Sequence, residues 1–254
     1  MKTLISNSFL NMNDVKNFLF FLYQWLIAFP IIIVISIITA LITILLSPIF
    51  PNKKISYFPA RWWSRICCAL CFVKVKIRGT ENIDPKQSYV FISNHQSLFD
   101  IFAIYGWLPS IFKWLMKIEL RKIPLVGTAC ELAGHIFIDR SNPIAAQESI
   151  KKAEKKLKNG VSVVIFPEGT RTRDGKLGKF KHGAFRIATD LSLPIVPITI
   201  RGSFERISRS TLKITPGTIE MIIHQPIDVN AYLPNKLSEL VKLSWETIYS
   251  ELEK

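Results

Sequence analysis

The stretch YVFISNHQSLFD, residues 89–100, decides the fold of this chain. It begins with a short β-branched and aromatic run, 89–93, which predicts a buried strand. The polar residues that follow lie beyond the carboxyl end of that strand, where the active site of an α/β protein usually forms. Because Ser97 and Asp100 have the spacing of a helix capping box, we expect a helix over 97–107. The order strand, polar loop, helix therefore predicts an α/β unit with its site at this loop.

The chain around this stretch alternates between strand and helix patterns. Strands are predicted at 73–79, 134–138, 161–166, 194–200 and 219–224, and helices at 143–158, 182–191 and 236–252. Such alternation predicts an α/β fold whose mostly parallel sheet is flanked by helices on both faces. We see no internal repeat, and we assign residues 55–254 to one domain.

A long apolar run precedes this domain, since no charged residue occurs between Lys16 and Lys53. About 20 apolar residues are enough to span a hydrocarbon core as a helix, so the run predicts a membrane-anchoring segment over residues 1–54. A proline inside a helix removes a hydrogen bond, and Pro30 is therefore expected to divide the run into two helices, 18–29 and 31–46. We expect a shallow hairpin in one leaflet or a single kinked span. The run is too long for a signal peptide.

The composition combines 49% hydrophobic residues with a net charge of +14. This much apolar material excludes disorder, and the charge predicts an anionic partner, which is an anionic membrane surface, a phosphorylated molecule or a nucleic acid. By the positive-inside rule, the excess of basic residues after the apolar run places the domain on the cytoplasmic face of a membrane, the inner membrane if the chain is bacterial. These residues are Lys53, Lys54, Arg61 and Arg65, against Lys2 and Lys16 before the run.

His95 and Asp100 are the first candidates for chemistry. On one continuous helix, residues five apart would point about 140° away from each other, so the two can meet only if His95 is still in the loop. Asp100 would then accept a hydrogen bond from one imidazole nitrogen and leave the other nitrogen to accept a proton. Capping of the helix is the alternative role for Asp100, and the spacing alone leaves both open.

A second candidate is FPEGTR (166–171), which follows another apolar strand. Gly169 allows an anion to approach the backbone closely, and the guanidinium of Arg171 can bind a phosphate in bidentate fashion. A solvated basic loop is the alternative. Weaker candidates are KIEL (117–120), FIDR (137–140) and VPI (196–198). The sequence has no nucleotide-binding glycine motif, and its one C-x-x-C pair, Cys68 and Cys71, has no second pair, so we predict no metal site.

Taken in order, NHQSLFD (94–100), KIEL leading to FIDR, FPEGTR and VPI resemble the four motif blocks of the glycerolipid acyltransferases. The closest resemblance is to the 1-acyl-sn-glycerol-3-phosphate acyltransferases, also called lysophosphatidic acid acyltransferases. The blocks extend from residue 94 to 198, and the domain resemblance extends across most of 55–254. A histidine and an aspartate five apart are common by chance, but the same pair followed by FPEGTR is specific.

The resemblance implies the glycerolipid acyltransferase fold with an N-terminal two-helix membrane tether. It implies transfer of a fatty acyl group from acyl-CoA or acyl carrier protein to lysophosphatidic acid, giving phosphatidic acid, with no cofactor. His95 would be the general base and Asp100 would orient it. The implied substrate-binding residues are Glu168, Gly169, Thr170 and Arg171 with Lys117 and Arg140 for the acceptor's phosphate, and Val196 and Pro197 for the acyl or acceptor pocket.

Two other functions stay open at this point. One is acyl transfer to glycerol-3-phosphate or to another lysophospholipid. The other, from a different class, is a non-catalytic basic membrane protein that binds lipid or nucleic acid by charge. The resemblance favours a phosphorylated lipid at a membrane surface, so no nucleic-acid partner is expected.

Overall fold

The structure is a computed structural model, and it describes residues 12–50, 57–139, 161–207 and 213–253. A seven-stranded sheet lies at its centre. Its strands are β1 (Val73–Arg78), β2 (Val90–Ser93), β3 (Ile111–Lys117), β4 (Ile136–Ile138), β5 (Val161–Ile165), β6 (Ile195–Arg201) and β7 (Gly217–Ile223). They lie in the order β1-β7-β6-β2-β5-β3-β4, and all neighbours are parallel except β6 and β7.

Helices cover both faces of this sheet. In chain order the helices are α1 (Met12–Tyr23), α2 (Phe29–Ile49), α3 (Phe58–Leu70), α4 (Phe99–Trp107), α5 (Val126–Leu132), α6 (Gly183–Asp190) and α7 (Leu237–Leu252). Side chains alternate along a strand, so each strand contributes to two cores. On β2, Phe91 packs into a core with α3 and α4, whereas Val90 and Ile92 pack into one with α6 and α7. The predicted mostly parallel α/β sheet is confirmed.

The N-terminal apolar run forms one helix, so the predicted division into two helices is wrong. A π-helical turn, Gln24–Ala28, joins α1 to α2, and the helix continues from Met12 to Ile49. The turn is closed by the Phe29 N–H, which donates to the Gln24 carbonyl. Pro30 follows it directly, at a place where the π-helical turn already interrupts the regular α-helical hydrogen bonds that a proline would break. This helix is long and apolar enough to cross a membrane, and it is the one such helix among the described residues.

The long helix also packs against the rest of the protein. The Tyr23 hydroxyl donates to the Leu70 carbonyl (2.9 Å), and the Trp63 indole N–H donates to the Ser36 hydroxyl (2.8 Å). Gln24 is 1% exposed, and its side-chain oxygen accepts the Ile214 N–H at 2.9 Å. The segment is therefore joined to the α/β domain by polar contacts as well as by the chain.

Two elements next to the site were not predicted, β3 and α5. Two lysines interrupt the apolar pattern of β3, IFKWLMK, and one of them, Lys113, is nevertheless 1% exposed. Its ammonium donates to the Ala133 carbonyl, which makes its burial tolerable. The predicted helix over 143–158 lies outside the described residues.

Candidate active site

Three of the predicted motif blocks meet at one edge of the sheet. Strand β5 lies between β2 and β3, and the three strands are parallel, so the loops that follow them leave at the same edge. His95 lies in the loop after β2, FPEGTR follows β5, and Lys117 ends β3. They line a cavity of about 380 Å³, called here the His95 cavity. Its lining residues are His95, Leu98, Ile101, Trp114, Leu115, Met116, Lys117, Leu120, Phe166, Gly169, Thr170 and Arg171.

His95 and Asp100 form a hydrogen-bonded pair. The distance from His95 Nδ1 to Asp100 Oδ2 is 2.9 Å, and Asp100 is fully buried. An ionised carboxylate only accepts, so Nδ1 carries the proton in this pair and Nε2 is the ring nitrogen left to accept one. The pair therefore has the arrangement that a general base needs.

Asp100 also holds the start of α4, so its two alternative roles occur together. The same oxygen, Oδ2, accepts the backbone N–H groups of Gln96 and Ser97, each at 2.7 Å. The Ser97 hydroxyl completes the link by accepting the Phe99 N–H at 3.3 Å. The ring N–H of His95 and the backbone N–H groups of Gln96 and Ser97 thus all donate to Asp100 Oδ2. These three bonds fix the loop that carries His95.

An aromatic stack fixes the imidazole ring. The rings of His95 and Phe166 are parallel within 8°, with centroids 3.8 Å apart. The ring of Trp114 also stacks on Phe166, with centroids 5.5 Å apart. Sequence reasoning assigned no role to either aromatic residue. Phe166 was within reach of that reasoning, because it lies between an apolar strand and the Gly169 turn in the motif itself.

Two cations, Lys117 and Arg171, are among the residues that line the His95 cavity. Gly169 lies beside them with a φ of +80°, a conformation that favours glycine, and its N–H donates to the Phe166 carbonyl at 3.0 Å. None of the residues that line the cavity is acidic. The site therefore combines an apolar wall with two cations, which suits an amphiphile with an anionic head.

Glu168 has different surroundings from the other predicted substrate-binding residues. It is 8% exposed and does not line the His95 cavity. One carboxylate oxygen accepts the His95 N–H (2.7 Å) and the other accepts the Gly178 N–H (2.9 Å). Burial raises the pKa of this carboxyl to about 7, the two hydrogen bonds oppose that shift, and the nearby Asp100 charge adds to it.

Val196 and Pro197 are not brought to the His95 cavity. Both lie near the start of β6, paired with Phe91 and Ile92 of β2, and Val196 is fully buried in the core. Neither residue is among those that line the His95 cavity, so their predicted place in an acyl or acceptor pocket stays a prediction. Arg140 lies outside the described residues.

No group of three metal-ligating side chains occurs within the described ranges. The four cysteines, Cys67, Cys68, Cys71 and Cys130, are free thiols, and burial raises the pKa of each.

Fold and site together define the acyltransferase class, and a family model described as Acyltransferase matches residues 74–201. The chain is 36% identical over 178 residues to the chloroplastic 1-acyl-sn-glycerol-3-phosphate acyltransferase of Arabidopsis thaliana, covering 69% of this chain and 49% of that protein. It is 32% identical over 226 residues to the 1-acyl-sn-glycerol-3-phosphate acyltransferase of Limnanthes douglasii, covering 87% of this chain and 79% of that protein.

A solved structure agrees with these relatives. The crystal structure of the 1-acyl-sn-glycerophosphate acyltransferase PlsC from Thermotoga maritima has a TM-score of 0.75 at 28% identity, and the match covers 95% of this chain and 98% of that one. The chain belongs to the 1-acyl-sn-glycerol-3-phosphate acyltransferase family, as its four motif blocks predicted. It spans about half the length of the Arabidopsis protein.

Proposed function

We propose that the protein transfers a fatty acyl group from an acyl thioester to the sn-2 hydroxyl of 1-acyl-glycerol-3-phosphate, giving phosphatidic acid for phospholipid synthesis. The observation that carries this proposal is the His95–Asp100 pair at a cavity lined by apolar side chains and two cations. The relatives named above bear the name of this reaction. The acyl donor is acyl-CoA or acyl carrier protein.

In the proposed mechanism, His95 Nε2 takes the proton of the acceptor hydroxyl while the oxygen attacks the thioester carbonyl. The new C–O bond replaces the C–S bond, and the leaving thiolate receives the proton from the imidazolium. The negative charge of Asp100, 2.9 Å from Nδ1, stabilises the imidazolium in between. Proton transfer to the base and the positioning of the two substrates together accelerate the reaction.

Direct attack, without an acyl-enzyme, is supported by the surroundings of the possible nucleophiles. A thiolate attacks, whereas a thiol does not, and burial raises the pKa of Cys71 and Cys130 to about 11. The nearest serine in the motif, Ser97, donates its hydroxyl hydrogen to the Ile207 carbonyl at 2.8 Å rather than to His95.

The acceptor is proposed to lie with its phosphate at Lys117 and Arg171 and with its acyl chain along the apolar wall. That wall is formed by Leu98, Ile101, Trp114, Leu115 and Met116. Lysophosphatidic acid has a phosphate for the two cations and an acyl chain for the apolar side chains, whereas glycerol-3-phosphate has no acyl chain.

We also propose that the long helix anchors the protein to a membrane, with the catalytic domain, residues 55–254, on the cytoplasmic face. The helix from Met12 to Ile49 is apolar enough for this role, and the net charge of +14 suits an anionic lipid surface.

The test is an assay of the purified protein with lysophosphatidic acid and either acyl-CoA or acylated carrier protein, with the product identified by mass. We expect phosphatidic acid, and we expect His95→Ala to reduce its formation by about 10²–10⁴-fold. His182→Ala is the matched control, because His182 is an exposed histidine before α6. Full activity of His95→Ala would contradict the mechanism. Acylation of another acceptor in place of lysophosphatidic acid would contradict the proposed substrate.

A further inference from the structure

The Glu168 carboxylate joins two loops through hydrogen bonds on both of its oxygens. Oε1 accepts the backbone N–H of His95, and Oε2 accepts that of Gly178. Both partners are donors, so both oxygens must be acceptors. An ionised carboxylate meets this requirement best, because an amide would direct an N–H donor at one of the two N–H groups and a protonated oxygen is a weaker acceptor.

Gly178 is fitted to this contact. A Cβ atom at this position would lie 2.7 Å from Glu168 Oε2, which is closer than real Cβ atoms approach other atoms. The carbonyl of Gly178 accepts the indole N–H of Trp245, at 3.0 Å. Glu168 is thereby connected to α7 on one side and to His95 on the other.

The backbone of His95 is held from this loop at two points. Its N–H donates to Glu168, and its carbonyl accepts the Thr172 N–H at 3.0 Å. The imidazole ring is stacked on Phe166, which precedes Glu168 by two residues. Asp100, from α4, is the remaining contact and fixes Nδ1. The loop after β5 therefore fixes the position of His95, the proposed base, and also lines the cavity.

We propose that Glu168 is a positioning residue, which fixes the backbone of His95 and does not bind the phosphorylated acceptor. The proposal rests on the proposed function, since it requires His95 to be the base. A displacement of about 1 Å in an active site costs on the order of 10² in rate, so loss of this contact is expected to reduce kcat.

The acidity of Glu168 adds a second, independent readout. Burial raises its pKa to about 7, and the groups that face it are His95 and Asp100 on the cavity side. It also shares a recess of about 260 Å³ with three cations and one carboxylate, which are Arg171, Lys176, Lys179 and Asp174. When pH falls through about 7, the carboxyl gains a proton and the backbone bond to the protonated oxygen becomes weaker. The rate of the wild-type enzyme should therefore fall with acid more steeply than protonation of His95 alone explains.

The experiment compares Glu168→Gln and Gly178→Ala with the wild-type protein. Values of kcat and of KM for lysophosphatidic acid are measured from about pH 5.5 to about pH 9, a range chosen to bracket the titration of imidazole and of a raised carboxyl. We expect Glu168→Gln to lower kcat by about 10–10²-fold with KM changed by less than about threefold. Its log kcat should also fall less steeply with acid than that of the wild type. Gly178→Ala, which keeps Glu168 itself, should lower kcat in the same way.

Glu246→Gln is the matched control, because Glu246 lies on α7 in an exposed ion pair with Lys242. It should behave as wild type. A raised acceptor KM at unchanged kcat in Glu168→Gln would show that Glu168 binds the acceptor, and would overturn the proposal. Unchanged kcat in both variants, or an acid limb in Glu168→Gln as steep as in the wild type, would overturn it as well.

Two further measurements keep these outcomes separate. Thermal melting shows whether Glu168→Gln folds. If it does not, Trp245→Phe tests the same connection more mildly, since it removes the bond to the Gly178 carbonyl and keeps an aromatic ring next to Tyr249. A smaller loss of kcat at constant KM is then expected, and wild-type kcat in a folded Trp245→Phe would count against the connection. If His95→Ala keeps its activity, the proposed function fails. If His95→Ala is inactive while Glu168→Gln has wild-type kinetics, only the positioning role fails.

Discussion

Asp100 shows how one buried side chain serves both the chemistry and the fold. Its Oδ2 accepts from the His95 ring and from two backbone N–H groups of the loop. An asparagine turned to present its amide oxygen keeps these three bonds but has no charge to stabilise an imidazolium. We expect Asp100→Asn to lower kcat by about 10²-fold or more with little change in melting temperature, whereas Asp100→Ala should lower both.

Steady-state kinetics and thermal melting of these two variants check this prediction. Asp84→Asn is the control, since Asp84 also accepts a backbone N–H, from Lys86 at 2.8 Å, but in an exposed turn. Wild-type kcat in a folded Asp100→Asn would mean that the charge is not needed for the reaction.

A separate prediction concerns the two cations of the His95 cavity. Lys117 and Arg171 both line it, and a hydrogen bond to a charged group contributes about 1.5–3 kcal/mol. Lys117→Ala and Arg171→Ala should each raise KM for lysophosphatidic acid by about tenfold or more, and should raise KM for the acyl donor less. Lys122→Ala is the control, because Lys122 is exposed and lies outside the cavity lining. Equal effects on both substrates would contradict the phosphate site.

At the scale of single residues, the sequence predicted that His95 and Asp100 can meet but not which way Glu168 faces. The spacing of His95 and Asp100 allowed a contact only from a loop, and the structure has that contact. The carboxylate of Glu168 turns inward because two backbone N–H groups there have no other acceptor in this arrangement. That choice depends on Gly178, ten residues away in the chain, and no local pattern contains it.

At the scale of elements, patterns were reliable where one rule acted alone. Strands β2 and β5 were predicted because each is an apolar run that ends at a polar loop. Pro30 was misread, since a π-helical turn before it removes the conflict that proline normally causes in a helix. Strand β3 was missed because Lys113 has its partner, the Ala133 carbonyl, in a different element.

The contact between the long helix and the domain can be tested at Gln24. The side-chain oxygen of Gln24 accepts the N–H of Ile214, and both residues are buried. Gln24→Leu leaves that N–H without this acceptor, which costs about 1–3 kcal/mol. The melting temperature in detergent should fall by roughly 2–4 °C for each kcal/mol. Thr43→Val is the control, because the buried Thr43 hydroxyl donates within its own helix, to the Thr39 carbonyl. Equal melting temperatures for the two variants would mean that Gln24 does not anchor the helix.

At the scale of the whole molecule, the net charge of +14 and the apolar helix are two independent means of reaching a membrane. Screening shortens from about 10 Å at 0.1 M salt to about 3 Å at 1 M, which weakens attraction between charges but not burial of apolar side chains. In vesicle flotation, binding to vesicles with anionic lipid should therefore weaken with salt towards the level found with neutral vesicles. Binding that does not respond to salt would assign the attachment to the helix alone.

Whether the helix is a separable tether is the remaining question at this scale. The proposed boundary between residues 54 and 55 treats it as one, yet Tyr23, Gln24 and Ser36 all bond to groups of the α/β domain. A chain that begins at residue 57 would lose these contacts, and the core cluster would lose the apolar side chains of the helix that pack against it, such as Ile32 and Ile35. We expect this shortened chain to melt at a lower temperature than the full chain and to associate in solution, as checked by circular dichroism and sedimentation. A monodisperse shortened chain with the full melting temperature would instead show that the α/β domain folds on its own and that the polar contacts to the helix contribute nothing to its stability.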